Sequence, residues 1–194
     1  MNDLNTVNHE LVAGVKEMIR SRSLGMARHY AGIDDFATQP IEGDLSVYGH
    51  WMTLILVAGK AAKLTFKVHF MEEEAKKLAT HVYARPPTDI STPQAIDFMK
   101  ELCNLVAGSL KKEFQDSGVI VGISLPMVTR GFDEVFFPRG DGFSQFEDQW
   151  KVISSRGEFV CSSHFEVMDI AAVGNVTTRA ASSQTADMGD VDFL

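Results

Sequence analysis

The sequence predicts an α+β fold in which an antiparallel β-sheet carries its helices on one face. The predicted elements follow the order helix, two strands, helix, long helix and then three or more strands. The strands come in pairs joined by short turns, which favours antiparallel pairing. With 194 residues and 45% hydrophobic content, the chain can form one sizeable core. We therefore expect one domain over residues 1–170, followed by a small and polar segment, residues 171–194, as a disordered acidic tail.

The first part of the chain predicts one helix and one hairpin. VNHELVAGVKEMI places apolar residues at helical spacing, whereas residues 20–43 are poorly periodic and are predicted to be a connector. SVYGHWMTLILVAG and AAKLTFKVHFM are typical of strands, and the second alternates apolar and polar side chains, which predicts one buried and one wet face. A turn at Gly59 and Lys60 would join them.

Two helices are predicted after this hairpin. EEEAKKLATHVY begins with three acidic residues, which stabilise the N-terminus of a helix. A longer helix is expected to begin with Thr92 as its N-cap and Pro93 at its first position. It should end near Asp116, before Gly118.

The remaining segments predict strands. VIVGISLPMV is typical of a single strand, and QWKVISSRGEFVCSSHFEVM predicts a hairpin about Arg156 and Gly157. The segment FDEVFFPRGDGF between them is predicted to be a loop.

Composition narrows the class of protein. The net charge of −8 and the scattered basic residues disfavour nucleic-acid binding. No run approaches the roughly 20 apolar residues of a membrane-spanning helix, and the first residues lack the pattern of a secretory signal. We therefore expect a cytoplasmic protein. Two cysteines and six dispersed histidines show no metal-ligand spacing, so we expect no metal, although a site assembled by folding is the less favoured alternative.

The long helix separates into two arcs at about 100° per residue. One arc is apolar and predicts the buried stripe: Phe98, Met99, Leu102, Leu105, Val106, Ser109 and Leu110, with Cys103 at its edge. The opposite arc carries Asp97, Glu101, Asn104 and Gly108 in one line at i, i+4, i+7 and i+11, with Ala107 beside them.

Glycine on the wet arc is unfavourable for the helix alone. It costs about 1 kcal/mol relative to alanine, and Gly108 points away from the predicted core. Gly108 and Ala107 would clear space beside Asn104 for another molecule. The alternative is an ordinary solvated face, because an isolated Glu-x-x-Asn often arises by chance. From the residues alone, both interpretations stay open.

Asp97-x3-Glu101-x2-Asn104, within DFMKELCNLVAG, resembles the signature of the CheC/CheX/FliY phosphatases of bacterial chemotaxis. Pro126 in GISLPMV takes the place of a proline that follows the motif in that family. The predicted order of elements over residues 5–170 is also similar to that of CheX-like members. The other acidic helix has glutamates but no asparagine, which favours a CheX-like member with a single site.

The resemblance implies a phosphatase that binds a phosphorylated CheY-type response regulator of two-component signalling and hydrolyses its aspartyl phosphate. It implies that Asn104 orients the attacking water and that Glu101 pairs with the active-site lysine of the regulator. The residues expected to contact the partner are Asp97, Ala107, Gly108 and Pro126. No cofactor is expected from this chain, because the regulator would supply Mg²⁺. A homodimer is also implied.

Other functions stay open from the sequence. The polar line could dock a receiver domain or an adaptor without hydrolysis, because a fold does not fix a function. A structural role in a flagellar switch, as in FliY-type relatives, is a third interpretation. The terminal SSQTADMGDVDFL could be a tethered peptide that recruits the regulator, although plain disorder also accounts for its composition.

Overall fold

The computed structural model describes residues 9–41, 51–130 and 144–187. The elements in these ranges are α1 (His9–Ala31), β1 (Ala37–Pro40), β2 (Trp51–Gly59), β3 (Ala62–Phe70), α2 (Glu72–Leu78), α3 (Thr80–Tyr83), a 3-10 turn (Pro87–Asp89), α4 (Thr92–Asp116), β4 (Val121–Ile123), β5 (Met127–Arg130), β6 (Ser144–Ile153), β7 (Glu158–Val167) and α5 (Ile170–Asp187). The predicted loop of residues 132–143 and the end of the predicted connector, residues 42–43, lie outside the described residues.

The described strands form one antiparallel sheet of seven strands in the order β1-β6-β7-β3-β2-β4. β5 also pairs with β2, so β4 and β5 are successive pieces of one edge strand. Helices α1, α2 and α4 contact the sheet and share one apolar core with it. The predicted α+β class, with helices on one face of an antiparallel sheet, is confirmed. Both predicted hairpins are also present.

Strand β3 shows how the alternating pattern forms the core and where it misleads. Leu64 and Phe66 are buried in the core beneath the helices, as predicted. On the opposite face, Thr65 and His69 are buried as well, so that face is not uniformly wet. His69 Nε2 lies 3.0 Å from Ser162 Oγ on the neighbouring strand, and this contact gives the buried ring a polar partner.

Helix α1 continues through residues 20–31, which the sequence predicted to be a connector. Its polar side chains are held by residues distant in sequence. Arg20 donates to both carboxylate oxygens of the buried Asp148 on β6, at 2.6 and 2.7 Å. Arg22 pairs with Glu113 on α4. Apolar periodicity therefore underestimates the length of α1, because part of the surface that packs against other elements is charged.

The predicted disordered tail is wrong for residues 171–187, which belong to helix α5. Val173, Val176 and Ala180 are buried, and α5 packs against α1. A Cβ at Gly14 of α1 would lie 3.1 Å from Thr177 Cβ, so the small residues permit close packing of the two helices. Residues 188–194, which contain the end of the predicted tethered peptide, lie outside the described residues. None of the described helices combines the length and the apolar run that crossing a bilayer requires.

Candidate functional site

Helix α4 is fixed at both ends by local residues. Ser91, one residue before the predicted Thr92, is the N-cap. Its Oγ accepts from the backbone N–H of Gln94, while Gln94 Oε1 accepts from the N–H of Ser91 at 2.9 Å, which completes a capping box. At the other end Gly118 has φ +77°, the left-handed conformation that ends many helices. The residues that begin and end α4 therefore do not belong to its solvent face.

The buried face of α4 lies on the sheet and against α1 and α2. Its buried residues are Ala95, Phe98, Met99, Leu102, Cys103, Val106, Ala107, Leu110, Glu113 and Phe114. Most of the predicted stripe is therefore buried, whereas Leu105 and Ser109 are only half-buried at its border. Burial raises the pKa of the Cys103 thiol to about 12, so the group stays protonated and unreactive at neutral pH.

The solvent face of α4 carries Asp97, Glu101, Asn104 and Gly108, and all four are exposed. We call this line the α4 stripe. Asn104 Nδ2 lies 3.5 Å from Glu101 Oε2, at the outer limit of a hydrogen bond, so the two side chains are adjacent without being locked together. Asp97 accepts from Lys100 Nζ at 3.4 Å. A Cβ at Gly108 would meet none of the residues that the structure describes within 4 Å.

Ala107 does not belong to the α4 stripe, and the prediction that it contacts a partner is wrong. Its side chain is fully buried in the core. The reason is that α4 contacts the edge strands β4 and β5 as well as β2, so its buried arc is wider than the apolar pattern alone indicates. Of the two small residues expected to clear space, only Gly108 faces solvent.

Two tyrosines from other elements lie along one flank of the α4 stripe. The ring of Tyr30, at the end of α1, stacks on Phe98 with a centroid distance of 4.9 Å. Burial raises the pKa of Tyr30 to about 12, and the nearby Tyr83, Glu101 and Asp97 raise it as well. The Tyr30 hydroxyl therefore keeps its proton at neutral pH and can donate a hydrogen bond. Nothing in the motif spacing pointed to these residues, because they reach the stripe only through tertiary packing.

Pro126 lies on the other flank, in the segment that joins β4 to β5, and it is half-buried. Both edge strands contact α4. The single strand predicted for VIVGISLPMV is thus divided at this proline.

The described part of the chain contains no group of three or more His, Cys, Asp or Glu side chains arranged to hold a metal ion. Glu101 forms no ion pair within residues 9–41, 51–130 and 144–187. The α4 stripe therefore offers an amide and a carboxylate to a partner, and it can act by hydrogen bonding and charge.

Comparison with known proteins supports the same architecture. The family model for chemotaxis phosphatase CheX matches residues 52–139. CheX from Vibrio vulnificus is similar in structure, with 18% identity and a TM-score of 0.62 over 81% of this chain and 99% of that chain. A CheC-like protein from Shewanella oneidensis MR-1 has 18% identity and a TM-score of 0.63 over 80% and 99%. No curated protein matches the chain.

A third similar structure is the CheX–CheY–BeF3–Mg²⁺ complex from Borrelia burgdorferi, with 12% identity and a TM-score of 0.60 over 79% of this chain and 97% of that chain. At such identities the solved structures show the fold, which is that of CheX and CheC-like chemotaxis proteins. Residues 52–139 of the chain match the family of chemotaxis phosphatase CheX. The segment matched by the family model contains the whole α4 stripe and Pro126.

Proposed function

We propose that this protein binds the phosphorylated receiver domain of a CheY-type response regulator and promotes hydrolysis of its aspartyl phosphate. The observation that carries the proposal is the exposed pair Glu101 and Asn104 on the solvent face of α4. The match of residues 52–139 to the CheX family model and the similarity to a chain of a CheX–CheY complex support this choice of partner.

In the proposed mechanism, Asn104 orients a water molecule for in-line attack on the phosphorus. A carboxamide suits this task because its oxygen accepts from the water, its NH₂ donates, and the group is neutral at working pH. The bond from the water oxygen to phosphorus forms while the bond from phosphorus to the aspartyl oxygen breaks. The products are the free aspartate and inorganic phosphate, which carries the oxygen and both hydrogens of the water. Positioning is the main contribution, because the acyl phosphate is already reactive.

Glu101 would set the register of this attack. Its carboxylate lies one helical turn from Asn104 and has no cationic partner among the residues described for the chain. Pairing with the active-site lysine of the regulator would give it a charge-assisted hydrogen bond and would fix the amide above the phosphate. Asp97, already close to Lys100, is assigned to the rim of the contact.

The proposal also covers the cofactor and the oligomeric state. Mg²⁺ would be bound by the regulator, so this chain would add no cofactor of its own. A homodimer is expected, and light scattering would then give a mass near twice 21.4 kDa.

The test compares the decay of a phosphorylated CheY-type receiver with wild-type protein and with Asn104→Ala. We expect the maximal acceleration to fall by about 100-fold, as when one positioned transition-state contact is removed, while the affinity changes little. Asn175→Ala, which alters an exposed asparagine on α5, is the matched control and should behave like the wild type.

Equal acceleration by wild type and Asn104→Ala would refute the hydrolytic role of the amide. Binding of the receiver by wild type with no change in phosphate lifetime would instead identify a docking module without catalysis.

A further inference from the structure

The edge strand beside α4 contains a β-bulge. Val57 of β2 faces Ile123 of β4, and Leu54 of β2 faces Met127 of β5. Three steps along β2 therefore correspond to four steps along the edge strand, so one extra residue is inserted. The insertion falls in the segment 124–126, between the two strands.

Hydrogen bonds hold the bulge in one conformation. The N–H of Ser124 donates to the carbonyl oxygen of Leu56 at 2.9 Å, and the N–H of Leu56 donates to Ser124 Oγ at 3.0 Å. The same hydroxyl donates to the carbonyl oxygen of Leu125 at 3.0 Å. Ser124 Oγ thus takes the place of a backbone carbonyl as acceptor for the N–H of Leu56, where the ladder is interrupted. These hydrogen bonds fix the main chain at the point where Leu125 turns outward.

The result is a group of exposed apolar side chains on the edge strand, with Leu125 in the bulge and Met127 and Val128 on opposite faces of β5. Leu125 is 85% exposed, Met127 is 49% exposed and Val128 is 38% exposed. Single exposed apolar residues are common on protein surfaces. Adjacent ones on a rigid segment are more typical of a surface that a partner covers.

The lengths of the two elements place Leu125 near the level of Asn104. From the turn at Gly118, the edge strand runs back along α4 and contacts it. A strand advances about 3.3 Å per residue, so Leu125 lies about 23 Å from the turn. A helix advances about 1.5 Å per residue, and the same distance along α4 corresponds to about 15 residues, which ends beside Asn104. Ile120 lies near the turn, about 16 Å from Leu125 along the strand.

We propose that Leu125 is an apolar docking residue for the receiver domain whose phosphate reaches Asn104. This inference rests on the proposed function and adds a second flank to its contact surface. A receiver that presents an aspartyl phosphate to Asn104 must also cover the neighbouring edge strand. Removing Leu125 from water there would favour the complex.

A second copy of this chain is a poorer occupant of this position. Strand addition requires a continuous row of backbone donors and acceptors at the edge. The bulge interrupts that row, and Pro126 has no N–H to donate. A different partner that contacts only side chains is compatible with both the bulge and Pro126.

The experiment measures the receiver concentration for half-maximal phosphate decay with Leu125→Ser and with Ile120→Ser. The two residues are equally exposed, at 85%, so Ile120→Ser is a matched control away from the site. We expect Leu125→Ser to raise the half-saturating concentration about tenfold without lowering the maximal rate. Ile120→Ser should leave both quantities within about twofold of wild type. Thermal melting checks that each variant is folded.

The outcomes separate this inference from the proposed function. If Asn104→Ala loses the maximal rate while Leu125→Ser matches wild type in half-saturation, the proposed function stands and the docking role of Leu125 is wrong. A change of mass from dimer to monomer in Leu125→Ser would show that a second copy covers the residue, and would overturn the inference. If wild type accelerates no decay, the proposed function fails, and the affinity of both variants for a receiver carrying beryllofluoride then decides the role of Leu125. Absence of binding by wild type overturns both proposals.

Discussion

Helices α2 and α4 both carry acidic side chains, and the molecule uses the two sets differently. On α2, Glu72 accepts from Lys76 Nζ at 2.7 Å and from Thr92 Oγ1 at 2.6 Å. Glu74 accepts from Lys77 Nζ at 2.6 Å. These carboxylates therefore hold α2 to itself and to the start of α4.

On α4, Asn104 Nδ2 lies 3.5 Å from the Glu101 carboxylate, which forms no ion pair with a described residue. The comparison shows that the number of acidic residues does not identify the site. α2 begins with three glutamates and uses them in intramolecular contacts, whereas α4 leaves one carboxylate beside an amide exposed to solvent. Substitution of an acidic residue on each helix can therefore test whether α4, and not α2, binds the partner.

Among the variants that compare α2 with α4, the largest effect is expected from Glu101→Ala. Loss of one charge-assisted hydrogen bond to the regulator, worth about 1.5 kcal/mol or more, should raise the half-saturating receiver concentration at least about tenfold. Glu73→Ala removes an exposed carboxylate of α2 and should leave that concentration unchanged. The effect at Glu101 should shrink at high salt, because exposed charges are screened. Equal losses from both variants would mean that general negative charge, and not the α4 stripe, drives binding.

Gly108→Ala should separate stability from binding. Alanine is the better helix former, so the free energy of unfolding should rise by about 1 kcal/mol. A Cβ there would meet no described residue within 4 Å, so we would attribute any loss of receiver affinity to contact with the partner. Gly174→Ala, in α5, where an added Cβ also meets no described residue within 4 Å, should stabilise the protein with no effect on affinity. Unchanged affinity in Gly108→Ala would show that the partner does not approach the helix closely at this point.

The smallest effect is expected on α2, from Glu72→Gln. Hydrogen bonds from Lys76 and Thr92 lower the pKa of Glu72 below its ordinary value of 4.5. Because the folded state favours the carboxylate, this contribution to stability is present above that value and is lost as the pH falls through the lowered pKa. Urea denaturation should show a cost of at most about 1 kcal/mol at pH 7 that disappears at low pH. A cost independent of pH would show that the charge of Glu72 plays no part.

Helix α4 could be predicted from the sequence because its determinants are local. The capping residues, Pro93, the apolar period and Gly118 all lie in or next to the helix. The α4 stripe followed from the same period. Ala107 was misplaced because the width of the buried arc depends on which strands contact α4, and the sequence alone does not reveal this.

The other errors have a common physical origin in contacts between distant residues. The second half of α1 is polar because Arg20 and Arg22 meet acids on β6 and α4. The small residues of α5 favour disorder by composition and yet allow a close approach to Gly14. Likewise, the bulge that exposes Leu125 exists only in the pairing of two strands.

The central claim is that the exposed Glu101–Asn104 face of α4 receives the receiver domain. An NMR titration of the ¹⁵N-labelled protein with a receiver carrying beryllofluoride tests it most directly. The account predicts that the side-chain amide of Asn104 and the backbone amides of Glu101 and Gly108 shift or broaden first, while those of Glu72–Glu74 on α2 stay in place. A footprint centred on α2, or an Asn104 amide unchanged at saturating receiver, would contradict it.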